Sequence, residues 1–422
     1  MVRGERSANL RLGVMVWPRS ELLGDLLAEE SAEALVVMAG SSRDPDLQPF
    51  VGGARLGDAC VVAHGGGAWL AYFTSMEREE AARAGAGGVE LVHPADFGME
   101  TLRREGKSSE EIFAAAVKAA CDWAGVAPGR VALAGRPAAG LAVAMARMLE
   151  EAGWKPVSGR GLMLALRRTK TESEVEGIAS ASRATVEAFE SVARMLARSS
   201  LREDGELWLE EERLTVAWVK ALAARVFAGH GLEQPESSIV APGEEGATGH
   251  STGTPERVLR AGESIVVDLF PRGLLFADCT RTFCVGEAPA ALAKAHALVL
   301  EALDVSLDAV RPGVRGWTLH ERVCRLFENK GFAVPDKNPG TQTGYFHLLG
   351  HGVGYALHEL PSFRKTGPGT DQLRAGDVVT IEPGLYDPDA GWGVRLEDLV
   401  VVTEDGMTNL TPLPYALDPR HW

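Results

Sequence analysis

The sequence predicts an α+β protein of two domains, and three observations predict it. At 422 residues it is too long for one ordinary domain and fits two of roughly 150–200 residues. Its first ~165 residues alternate helical and strand patterns, as an α/β domain does. Beyond residue 235 short apolar runs dominate, bounded by turn residues and interrupted by two helical stretches.

Taken in order, residues 20–34 show helical spacing through Leu22, Leu23, Leu26 and Leu27, and a strand is expected at 35–38. Residues 60–63 and 69–73 read as a hairpin, with Gly65, Gly66 and Gly67 supplying the turn. Helices are expected over 109–124 and 138–152, with a strand at 131–134 between them. A break is expected across 158–170, where Ser158-Gly159-Arg160-Gly161 is followed by Arg167-Arg168-Thr169-Lys170. This places the domains at 1–165 and 166–422. Thr171 and Glu174 form a capping-box pattern ahead of a long helix over 175–197, and a second helix is expected over 206–229. Strands fit 264–270, 274–285, 376–386 and 394–403, and helices fit 289–310 and 317–330.

Composition narrows the function. The net charge of −15 repels phosphate backbones and argues against broad nucleic-acid binding. No run of about 18 apolar residues is present, so no membrane span is expected. The opening MVRGERSANLRLG carries recurring charges and no apolar core, so no secretory leader is expected. The five cysteines, Cys60, Cys121, Cys279, Cys284 and Cys324, form no CxxC pair, which suits reduced thiols in the cytoplasm.

The chemistry lies in acids placed where acids are costly. Two apolar runs, 265–270 and 275–283, each contain one aspartate, Asp268 and Asp278, with Pro271-Arg272-Gly273 as a turn between them. Their spacing of ten is even, so a hairpin brings both carboxylates to one face. Glu382 ends a further apolar run and Glu397 interrupts another. Between the Asp pair and the Glu pair, His347, His351 and His358 fall within twelve residues, among glycines. Two like charges 4 Å apart cost roughly 4 kcal/mol at an effective dielectric of 20, so four converging carboxylates need neutralising. Two divalent cations would balance them. A set of oxygens with one imidazole suits Mn²⁺, Co²⁺ or Zn²⁺, and such ions acidify a bound water strongly.

These motifs, VVD…ADCTRTF…VG, GHGVGYALHE-x-P, TIEPGLY and GVRLEDLVVVTEDG, resemble the metallopeptidase family of methionine aminopeptidase, aminopeptidase P and prolidase. That resemblance implies a pita-bread catalytic domain. The extra N-terminal domain implies the prolidase, aminopeptidase P and creatinase branch, hence a smaller α/β creatinase-like domain ahead of it. It implies five metal ligands, Asp268, Asp278, His351, Glu382 and Glu397. It implies a substrate-facing His250, a carbonyl-polarising His358, a further pocket histidine at His347, and Arg395 contacting substrate or a metal ligand. Glu382 would serve as both ligand and proton shuttle. The implied activity is exopeptidase hydrolysis of short peptides of the Xaa-Pro type, by a cytoplasmic homodimer.

This sequence departs from the family pattern beside the first ligand pair. The Asp spacing is ten where eleven is usual, and Phe270-Pro271-Arg272 replaces the usual glycine-containing turn. Arg272 is therefore either a solvated turn residue or a clamp for a peptide C-terminal carboxylate, which would make the enzyme a carboxypeptidase of broader specificity. Gly249-His250-Ser251-Thr252-Gly253 matches a GxSxG elbow, but it lacks the strand before and the helix after that a serine hydrolase needs. A metal-free creatinase-like hydrolase or binding protein is the alternative of another class. It is disfavoured because all five ligand types are present.

Overall fold

The computed structural model describes residues 17–365 and 370–422. The expectation about the N-terminal leader falls in residues 1–16, outside the described residues. The chain divides into two compact units, with the boundary between Leu166 and Arg167.

The first unit is a six-stranded mixed sheet between helices. Its strand order is Glu90–Val92, Gly67–Tyr72, Ala59–His64, Ala34–Ala39, Arg130–Ala134, Lys155–Ser158. The hairpin pairs Ala59–His64 antiparallel with Gly67–Tyr72, and Ala34–Ala39 runs parallel to Arg130–Ala134. Residues of Ala34–Ala39 are buried throughout, because helices cover both faces of a parallel-centred sheet. One face packs Leu35 and Val37 with Leu23 and Leu27 of the Ser20–Glu29 helix. The other packs Val36 and Met38 against Phe113, Ala116 and Val117 of the Ser109–Ala124 helix. The stretch expected to be a break contains the boundary between the units, but it is helical over Arg160–Arg168. Its Leu162, Met163 and Leu166 fall at helical spacing and are buried, which outweighs the Ser-Gly-Arg-Gly start that reads as a linker.

The second unit is α+β. Thr171 and Glu174 form the expected capping box, and the helix behind it runs Glu172–Ala197. The helix expected over 206–229 is shorter. Its first part is a small hairpin, Leu207–Leu209 with Glu212–Arg213, turning through Glu210 at φ 54°. The helix proper, Val216–Gly229, starts where the Thr215 side chain caps Trp218 N. One antiparallel sheet contains Ile239–Pro242, Ile265–Leu269 and Cys279–Phe283. A second has the order Glu359–Ser362, His351–Gly352, Val378–Ile381, Asp398–Val402, Met407–Asn409. The hairpin Gly384–Asp387 with Trp392–Arg395 stands apart from both. Helices Ala290–Leu307 and Gly316–Asn329 bury Val299, Leu303, Val323 and Phe327 with Ile381, Leu385 and Val394.

Two expected strands are each broken in two. Residues 376–386 divide at Glu382-Pro383, where proline has no N–H to continue a ladder. Residues 394–403 divide at Leu396-Glu397, where the chain leaves the hairpin for the five-stranded sheet. The third expected strand, 274–285, is regular only over Cys279–Phe283, because Arg272 and Phe276 close a tight bridge before it.

Candidate metal centre

The ligand hairpin follows from its register. Asp268 pairs with Thr280, so Asp278, two residues before Thr280, projects to the same side. Asp268 and Asp278 are both buried. Glu382 and Glu397 arrive from the two strand breaks. There Glu382 N donates to Leu349 O at 2.7 Å and Glu397 N to Thr280 O at 3.0 Å. His351 begins a short strand of the five-stranded sheet. A Cβ on the neighbouring Gly350 would lie 2.0 Å from the Thr380 carbonyl oxygen, so only glycine lets this segment approach so closely.

These elements bring the five expected ligands together. One ligand atom each of Asp278, His351 and Glu397 lies within 4.8 Å of the others. His351 Nε2 lies 3.6 Å from a Glu382 oxygen and 3.7 Å from an Asp278 oxygen, too far for a hydrogen bond. Ligands about 2.1 Å from a shared cation would be separated by distances of this order. His351 Nδ1 sits 3.2 Å from Gly352 O. Donation there leaves the Nε2 lone pair facing the carboxylates, the arrangement a metal-binding imidazole needs. Asp268 Oδ1 is buried and has no hydrogen-bond partner. An orphaned carboxylate oxygen beside three other acids marks a place for a cation.

The electrostatics agree. Burial, with Glu397, Asp268 and Glu382 around it, pushes the Asp278 carboxyl well above the usual range. Burial and the Glu382 and Asp268 charges do the same to Glu397. Burial pushes Glu382 up to about 8 despite the opposing Arg395 charge. Burial, and the nearby His358, push His351 down to about 3, so its imidazole is neutral. Without a cation, the Asp278, Glu382 and Glu397 carboxyls hold protons more readily than free carboxyls do, while Arg395 offsets the charge of Asp268.

A hydrogen-bonded frame surrounds the acids. The Arg395 guanidinium donates to Asp268 Oδ2 at 2.7 Å, Thr280 Oγ1 at 3.2 Å, and both the Tyr386 hydroxyl and Gly249 O at 3.0 Å. It is 4% exposed, and these contacts aim it at the candidate ligand Asp268. Thr280 Oγ1 donates to Glu397 Oε2 at 2.8 Å. The Tyr386 hydroxyl meets His347 Nε2 at 2.9 Å. Burial, then Arg395, holds His347 down to about 3. Thr280 and Tyr386 were given no role by the sequence reading. The even spacing of Thr280 from Asp278 was a signal for the first. For Tyr386 there was none beyond its place in the hairpin after Glu382.

His358 is exposed, and its ring centroid is 4.3 Å from that of His351. Partial burial lowers its pKa, so it too is neutral. His250 is also exposed, one residue after the Gly249 carbonyl that Arg395 holds. Arg272 is no solvated turn residue. It is 8% exposed, its guanidinium lies 5.1 Å from the Phe276 ring centre, and its backbone pairs with Glu233.

The model of metallopeptidase family M24 matches residues 176–404, more than half of the chain and all five acid and histidine positions. The chain belongs to metallopeptidase family M24. This M24 chain is 30% identical over 281 residues to a probable dipeptidase PepE of Mycobacterium tuberculosis, covering 65% of the chain and 67% of the relative. It is 32% identical over 252 residues to an Xaa-Pro dipeptidase of Pyrococcus furiosus, covering 58% and 64%. The dipeptidase PepE structure from Mycobacterium ulcerans superposes with a TM-score of 0.71 at 25% identity, over 97% of this chain and 99% of that one. The prolidase structure from Pyrococcus horikoshii gives 0.71 at 22%, over 94% and 99%, which shows the shared pita-bread fold. The protein is a metallopeptidase, a hydrolase that uses divalent metal. Among the described residues no helix is long and apolar enough to cross a membrane.

Proposed function

We propose that this M24 peptidase is a dinuclear-metal exopeptidase that cleaves short peptides of the Xaa-Pro type. The observation that carries the reading is the convergence of four carboxylates and one neutral imidazole, with Asp268, Asp278 and Glu397 buried, His351 and Glu382 half-buried, and Asp268 Oδ1 left unpartnered. Two divalent ions, Mn²⁺, Co²⁺ or Zn²⁺, balance four carboxylates, and Asp268, Asp278, His351, Glu382 and Glu397 would hold them. When bound, they would acidify a water and polarise the scissile carbonyl. The chain's own groups supply the remaining steps. Glu382 takes the proton of the attacking water and delivers it to the leaving amine. His358 is neutral and exposed toward substrate, and donates to the carbonyl oxygen as it gains negative charge. His250 and His347 line the substrate side. Arg395 acts through Asp268, fixing one carboxylate oxygen and leaving the other available to hold an ion. The same reading makes the enzyme a cytoplasmic homodimer, which light scattering tests.

Arg272 supports a second reading, a carboxypeptidase of broader specificity. Its guanidinium is stacked on Phe276 in the turn joining the Asp268 and Asp278 strands, ordered enough to receive a carboxylate in two-point fashion. One assay separates the readings: dipeptides and tripeptides with and without proline, each with either terminus blocked, with Mn²⁺, Co²⁺ and Zn²⁺ in turn. Cleavage confined to Xaa-Pro dipeptides supports the first. Cleavage that survives N-acetylation, fails on C-amidation and ignores proline supports the second, with a raised KM in Arg272→Ala. Elemental analysis bears on both, since about two equivalents of divalent ion per chain are expected from the charge balance. An active enzyme with none would be a metal-free hydrolase.

A further inference from the structure

The loop that presents His358 is held by a segment that the chemistry above leaves unused. Lys170 Nζ donates to Glu359 Oε1 at 2.7 Å and to Arg168 O at 2.8 Å. Arg167 Nε lies 3.7 Å from the other Glu359 oxygen. The Lys170 side chain is 1% exposed and that of Glu359 0%. Glu359 directly follows His358, and its Oε2 also accepts from Ala356 N at 3.3 Å, closing the loop on itself. A few residues after Lys170, Glu174 divides its carboxylate between two tasks. One oxygen takes Thr171 N at 2.8 Å, completing the helix cap, and the other accepts from the Tyr355 hydroxyl at 2.6 Å. The loop is moulded around these groups. A Cβ on Gly354 would lie 2.2 Å from Glu359 Oε1 and 2.7 Å from Lys170 Cε.

Such a cluster is poorly explained by stability. A buried ion pair loses in desolvation about what it gains in attraction, and apolar replacements are often as stable. What it does supply is direction. The Lys170–Glu359 contact spans 189 residues of sequence and fixes the backbone at the residue after His358. His358 is exposed except where its ring meets that of His351, so its backbone helps set where its donor points.

We propose that Lys170 and Glu174 form a positioning cradle for His358, Lys170 acting through Glu359 and Glu174 acting through Tyr355; the Arg168 side chain is not part of it. The proposal rests on the role given to His358 above. The protein contains its own control. Arg168 makes an equally buried pair with Asp377, at 3.0 Å with side chains 4% and 0% exposed, but Asp377 lies outside the His351–His358 loop.

The test uses the full chain with Mn²⁺, Xaa-Pro and other dipeptides as substrates, and four variants: Lys170→Met, Lys170→Arg, Tyr355→Phe and Arg168→Met. Lys170→Met is expected to lower kcat by about tenfold or more with KM within about twofold, because it misplaces a group that acts in the transition state. Lys170→Arg restores most of the loss. Tyr355→Phe shows a smaller fall of about threefold, and Arg168→Met keeps kcat within about twofold although it loses thermal stability. Equal kcat losses in Lys170→Met and Arg168→Met, or full kcat in Lys170→Met, overturn the cradle. Should Lys170→Met not fold, full kcat in Tyr355→Phe overturns it. Amide hydrogen exchange of residues 353–359 is the activity-independent arm. Faster exchange in Lys170→Met and Tyr355→Phe, but not in Arg168→Met, supports the cradle, and unchanged exchange overturns it. A wild-type protein without peptidase activity would refute the proposed function and leave the cradle to be decided by exchange.

Discussion

At the scale of single residues, the protein is built around acids that repel one another. Asp278 is buried among them, with burial and three carboxylates opposing its charge. Replacing it by the neutral isostere, Asp278→Asn, is therefore expected to raise the stability of chelator-treated protein by about 1–3 kcal/mol while abolishing activity. Asp278→Ala should likewise abolish turnover and leave the fold largely intact, and normal turnover in that variant would refute the site. Urea melts with EDTA, beside peptidase assays, check both. The pH dependence follows from Glu382. Its folded value of about 8 exceeds its ordinary 4.5, so the ion-free folded state keeps a proton that the unfolded chain releases. Stability of the ion-free protein is then lost as pH rises from about 4.5 through about 8. Ions replace that proton, so the rise in Tm on adding Mn²⁺ should be larger at pH 8 than at pH 5. A rise independent of pH would contradict this. These residues were legible because a carboxylate in an apolar run is anomalous on sight. Tyr386 was not, since a hydroxyl in a strand is ordinary, and Thr280 was marked only by its even spacing from Asp278.

At the scale of elements, the ligand hairpin was legible and the two glutamate strands were only half so. An even Asp spacing across Pro271-Arg272-Gly273 specifies a shared face without further information. The breaks at Glu382-Pro383 and Leu396-Glu397 were not readable, because both lie inside apolar runs whose pattern continues across the point where the chain changes sheets. What holds the second break in place is Arg281. It is 1% exposed, donates to Asp398 Oδ1 at 2.7 Å and to Glu397 O at 2.6 Å, and its guanidinium carbon lies 4.6 Å from the Tyr415 ring centre. Arg281→Met removes the cation from buried Asp398, leaving that carboxylate only its Asn409 and Tyr415 hydrogen bonds, and is expected to cost about 3–5 kcal/mol. It should also weaken ion binding by displacing Glu397. Chemical denaturation and ion titration measure the two effects, and a fully stable Arg281→Met with unchanged ion affinity would show that the break is held by other contacts. The same limit on local pattern explains the misread hairpin at 207–213 and the helix Arg160–Arg168. In both, a turn signal and a periodic signal overlap, and tertiary burial decides between them.

At the scale of the whole molecule, the α+β reading and the family were legible from four motifs spread over about 150 residues of the sequence. The strand order of each sheet was not, because pairing partners such as Val378 and Val401 are chosen by three-dimensional packing. The spread of the proposed ligands from Asp268 to Glu397 has a consequence for biogenesis. No short stretch of this chain can capture an ion alone, since the first pair depends on carboxylates that follow more than a hundred residues later. A chain emerging from the ribosome would have most of its core available for folding before the second pair of acids could close on a cation. Metal acquisition is then a late event in the protein's life. On the proposed function, ions would enter a folded scaffold whose Asp278, Glu382 and Glu397 carboxyls are raised above their ordinary range, so loading would displace protons and would depend on the metal supply and acidity of the compartment in which the chain matures.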